Sequence, residues 1–130
     1  MTRILHIEGA SINDIASLYV EINRVFMADE DWQLGASLDA LDDLLHGGYG
    51  ALAGHAIATV VWRDFAHSRD ALGRETTRAW LQSKLAQGGR FNGAAIHAQL
   101  TALALGQGQT HFEIVMEIFG SHPQITLVPG

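Results

Sequence analysis

The feature that most constrains this chain is a run near its middle, His55 to Trp62 (HAIATVVW), β-branched and apolar on both of its faces. Side chains alternate across a strand. A run without polar alternation therefore belongs to a strand covered on both sides, the usual condition of a parallel sheet. Parallel neighbours need long crossovers, and the flanking sequence supplies them as helices. Arg3 to Glu8 (RILHIE) reads as a first strand, ended by Gly9. Ser11, Asn13 and Asp14 offer helix caps, and Ile12, Ile15, Leu18, Ile22 and Phe26 follow at helical spacing, with Glu21 off that stripe. Ser37 caps a short helix carrying Leu38, Leu41, Leu44 and Leu45, which HGGYG (His46 to Gly50) ends.

After the central strand the helical period returns from Asp64 to Gln87, in two pieces broken at Gly73 and closed by Gly88-Gly89. Ala94 to Leu105 is a further helix. Phe112 to Phe119 (FEIVMEIF) reads as the third strand, Gly120 to Pro123 as a turn, and Ile125 to Val128 as a short extra strand. The expected architecture is a single α/β domain over residues 1–130, with a three-stranded, mainly parallel sheet flanked by helices and a C-terminal extension over 120–130.

The chain has 130 residues and no cysteine. Disulfide scaffolds, cysteine–zinc centres and thiol catalysis are thereby excluded. At 48% apolar content the chain can bury a core. MTRILHIEGA is too short in apolar length for a secretory signal. No apolar run is long enough to span a bilayer, so a cytoplasmic protein without membrane contact is expected. The net charge of −6 argues against direct nucleic-acid binding, which needs a basic face.

That charge has an address. Between Arg24 and Arg63 there is no Lys or Arg, yet Asp29, Glu30, Asp31, Asp39, Asp42 and Asp43 all fall there. These six acids equal the whole net charge, because the remaining eight acids balance the eight bases. A local excess of one sign attracts partners of the other. Asp39 and Asp43 are four apart, so they share one helix face, and Asp42 borders them. Like charges at this spacing repel by a few tenths of a kcal/mol. A helix that tolerates this with no basic relief has reason to display its charge.

The stretch from Gly35 to Gly47, G-x-S-L-D-A-L-D-D-L-L-x-G, resembles the central motif of the barstar family, the intracellular inhibitors of secreted bacterial ribonucleases. Gly35, Leu38, Asp39, Ala40, Leu41, Asp43, Leu45 and Gly47 stand at matching positions. Trp62-Arg63-Asp64-Phe65 matches a second motif, W-R-x-F, at the end of the middle strand. The resemblance implies a three-stranded parallel sheet flanked by helices and an inhibitor or immunity protein rather than an enzyme. It implies that Asp39 and Asp43 occupy phosphate subsites in the cationic active site of a basic ribonuclease or related toxin. Carboxylates at helical spacing can imitate neighbouring phosphates before arginines. Asp42, His46, Gly47, Trp32 and Tyr49 would support that contact. The chain departs from the family in having Asp42 between the aspartates where an aromatic is usual, and Gly48 where another is. Segments at about 48–55 and 74–90 read as insertions.

The histidines form no tight ligand motif, and the glycines form no phosphate-binding loop. No cofactor or resident metal is expected. Two alternative readings remain: a non-inhibitory protein-interaction domain on the same fold, and a small metal-dependent enzyme using Asp39, Asp43 and His46.

Overall fold

The computed structural model describes residues 2–87 and 92–130. The element order is β1 (Thr2–Glu8), α1 (Ile15–Phe26), α2 (Leu38–Leu45), β2 (Ile57–Arg63), α3 (Phe65–Ala71), α4 (Arg74–Ala86), α5 (Gly93–Ala104), α6 (His111–Gly120) and β3 (Ile125–Pro129). Short 3-10 turns at Gly9–Ser11 and Gly50–Leu52 follow β1 and α2. The sheet is three-stranded in the order β1-β2-β3 and parallel throughout. Leu5 pairs with Val60 and Ile7 with Trp62 on one side of β2, and Val60 with Leu127 on the other.

Two expectations need correction. Phe112 to Phe119 is not a strand but the body of α6. Thr110 caps it: its hydroxyl accepts the Glu113 N–H at 3.2 Å, while the Glu113 carboxylate accepts the Thr110 N–H at 2.9 Å. Phe112, Val115 and Phe119 then fall on one buried face, and Glu113 and Glu117 on the exposed one. The third strand is instead the segment read as a short extra strand within the C-terminal extension. Pro129 is accommodated there because β3 is an edge strand.

The second correction concerns β2. Only one of its faces is fully covered: Ala58, Val60 and Trp62 are buried, while Thr59 and Val61 are half-buried. Helices α1, α2 and α6 gather on that covered face. Leu18, Ile22 and Phe26 of α1, Leu41, Leu44 and Leu45 of α2, and Phe112, Val115 and Phe119 of α6 close over Leu5, Ile7, Val60 and Trp62. Ile4 and Val128 on the opposite face remain exposed. A second apolar cluster, Leu81 with Ile96 and Leu103, joins α4 to α5. The glycine stop expected after α4 lies outside the described residues.

Trp62 organises the end of the sheet. Its ring meets Phe65, Phe112 and Phe119 edge-on at 5.8 to 6.3 Å. Its Nε1–H donates to Ser68 Oγ at 2.9 Å, and the Ser68 hydroxyl donates to the Gly9 carbonyl at 3.0 Å. Gly9 must be glycine here, since an added Cβ would stand 2.1 Å from the Arg63 carbonyl oxygen.

Candidate functional site

The acidic segment is built as a rigid projection. Ser37 is extended, and its hydroxyl accepts the Ala40 N–H at 3.1 Å, which starts α2. Leu41, Leu44 and Leu45 are fully buried, so the helix cannot rotate about its axis without exposing them. The loop before it is pinned by Asn23, whose amide accepts the Leu34 N–H at 2.6 Å and donates back to the Leu34 carbonyl at 3.3 Å. The loop after it is pinned by Glu30, which accepts the Gly50 N–H at 2.8 Å. Gly50 takes φ +71°, and a Cβ there would stand 2.7 Å from the Phe26 carbonyl. These two ties bring Trp32 and Tyr49 together, ring centroids 5.0 Å apart and tilted by 50°.

The six acids divide by use. Asp29, Asp31, Asp39 and Asp43 are exposed. Glu30 and Asp42 are half-buried and bonded within the chain, Glu30 to Gly50 and Asp42 to His122. Among the described residues, no hydrogen bond or ion pair of under 4 Å engages the carboxylate of Asp39 or Asp43. Asp39 borders a cleft of ≈ 460 Å³ whose other wall carries Trp80, Ser83 and Lys84 of α4. Lys84 Nζ lies 3.9 Å from the centre of the Trp80 ring. Partial burial lowers the Lys84 pKa, and the charge of Asp39 opposes that shift. On the other flank Tyr49 is raised above the ordinary phenol value, first by burial and then by the charge of Asp43.

The remaining expected residues close the C-terminal end of α2. His46 is exposed, and its Nδ1 sits 2.9 Å from the Asp42 carbonyl. Gly47 adopts φ +84° and turns the chain away from the helix. Asp42, expected beside Asp39 and Asp43, directs Oδ1 to His122 Nε2 at 2.7 Å. The grouping Asp39, Asp43 and His46 does not form; the residues that converge are Asp42, His46 and His122. His122 and Lys84 have no local signal in the sequence, and Trp80 reads there as a core residue of the helix after Gly73. The Asp42/His46 spacing was visible, but nothing local announces a third residue that arrives from the turn before β3.

The chain matches the sequence profile of the family described as Barstar (barnase inhibitor) over residues 2–90, more than half its length. It belongs to the barstar family. The matched stretch carries β1, α1, α2, β2 and the acidic projection, while α5, α6 and β3 lie beyond it. No curated protein matches the chain. Among the described residues no helix is long and apolar enough to cross a membrane.

Proposed function

We propose that this barstar-family protein is an inhibitor or immunity protein that occupies the cationic active site of a small basic ribonuclease or related toxin. The observation that carries the reading is the pair Asp39 and Asp43: exposed, one helical turn apart, and held on a helix whose leucines fix its rotation. A ribonuclease must hold successive RNA phosphates with Arg, Lys and His. Two rigid carboxylates meet the same donors, and Arg can grip each in a bidentate pair. Asp43 is the stronger anchor, because Asp39 already shares the field of Lys84. The Trp32–Tyr49 pair forms an amphipathic rim on one flank, and His46 and Gly47 border the other end of the helix. Asp42, committed to His122, serves mainly to hold the helix end. The protein acts through binding, not catalysis. In this reading it works in the cytoplasm and guards the cell's own RNA.

The test is inhibition of a panel of small basic secreted ribonucleases by the wild type and by Asp43→Ala. The wild type inhibits at least one of them tightly. The variant weakens that binding by about 2–5 kcal/mol, because a buried arginine of the enzyme loses its partner; the family's own barnase–barstar complex is a reference case for that range. Inhibition that is absent across the panel, or indifferent to Asp43, contradicts the reading.

A further inference from the structure

Three side chains outside the proposed contact pair converge at the C-terminal end of α2. Asp42 and His46 are four apart and share a helix face. His122 reaches them from the turn before β3. The ligating atoms of the three lie within 4.8 Å of one another. The His46 and His122 rings meet edge-to-face, centroids 4.7 Å apart. His46 Nδ1 faces the Asp42 carbonyl at 2.9 Å. A carbonyl only accepts, so Nδ1 carries the proton and the Nε2 lone pair is left for a ligand. Metal-binding histidines are oriented by the same kind of contact. His122 is buried and held by packing, whereas His46 is exposed and free to adjust.

We propose that Asp42, His46 and His122 form a binding site for a zinc-type transition-metal dication. Two imidazoles and one carboxylate suit Zn²⁺ or Co²⁺. Mg²⁺ and Ca²⁺ prefer all-oxygen sets. Metal–ligand bonds of about 2.0–2.2 Å in a tetrahedron set the ligand atoms roughly 3.3–3.5 Å apart. The ion therefore enters between Asp42 Oδ1 and His122 Nε2, now 2.7 Å apart, and widens that pair slightly. Binding displaces the proton between His122 Nε2 and Asp42 to solvent, and His46 turns its Nε2 toward the ion. Water completes the shell. Asp39 and Asp43 on the same helix add a negative field that draws a cation in. Bound metal would reinforce a junction that the protein now ties through the Asp42–His122 contact and through Gln124 Nε2–H donating to the Leu45 carbonyl at 2.9 Å. The site does not depend on the inhibitor reading.

The experiment is calorimetric titration of the full chain with ZnCl₂, paired with visible absorption of a Co²⁺ titration. One Zn²⁺ binds per chain, Co²⁺ develops ligand-field bands, and Mg²⁺ gives no heat. His46→Gln, at an exposed position that leaves the core intact, weakens Zn²⁺ binding at least tenfold, and His122→Asn does the same. His97→Gln, on an exposed face of α5, leaves the affinity unchanged and reports any adventitious histidine binding. A Zn²⁺ titration without heat, or an affinity that His46→Gln does not alter, overturns the site.

Discussion

Individual side chains here do work that their sequence positions conceal. Glu21 falls off the apolar stripe of α1 yet is buried; it accepts the Glu8 N–H at 2.7 Å and takes Arg24 in a bidentate pair at 2.6 and 2.7 Å. Its partner on β1 is thirteen residues away, so helical periodicity alone could not reveal the role. His111 is the converse case. It is buried at the start of α6 against Trp80, and neither ring nitrogen has a hydrogen-bond partner among the described residues. Burial, aided by the charge of Lys84, pushes its pKa down from 6.5 to about 4. The folded protein thus resists protonating His111 while the unfolded chain accepts the proton. Stability from this residue is complete above pH 6.5 and falls as the pH drops toward 4. The loss reaches about 2 kcal/mol by pH 5. Urea unfolding at pH 7 and pH 5 checks this. His111→Phe should match the wild type at pH 7, since no hydrogen bond is lost, and should lose less stability on acidification; equal losses in the two proteins contradict the assignment.

At the scale of elements, the legible parts were those with one dominant period or a local cap. The strand over the first residues, the stripe of α1, the Ser37 cap of α2 and the break at Gly73 all follow from short-range chemistry. FEIVMEIF did not, because eight mostly apolar residues satisfy period 2 and period 3.6 about equally well. The deciding signal lay just upstream, in the Thr110/Glu113 capping box. The covering of β2 was also overestimated: an apolar sequence on both faces does not require two layers of helices, and this sheet leaves Val128 exposed on its open side. For α2 the cap can be tested directly. Ser37→Ala removes the acceptor for the Ala40 N–H and should cost about 1 kcal/mol in urea or thermal unfolding. A change near zero would mean that the buried leucines alone hold the helix.

For the molecule as a whole, the sequence disclosed which segment carries the charge and on which helix face it lies, but not how that charge is divided. Only the folded chain separates Glu30 and Asp42, spent on internal contacts, from Asp39 and Asp43, left to solvent. Those internal contacts link segments far apart in the chain, Asp42 with His122 and Glu30 with Gly50, and no local pattern encodes them. The division also separates two effects of charge. Asp29 and Asp31, exposed in the loop before α2, contribute to the long-range field that speeds encounter. Asp39 and Asp43 would in addition be buried against the partner's arginines. The most direct test compares two variants of equal net charge, Asp39→Asn/Asp43→Asn and Asp29→Asn/Asp31→Asn, by stopped-flow association and dissociation with an inhibited ribonuclease. Both variants should associate more slowly at low salt. Only the α2 pair should accelerate dissociation, by at least about 30-fold, the equivalent of 2 kcal/mol; equal dissociation rates in the two variants would contradict phosphate mimicry by this helix.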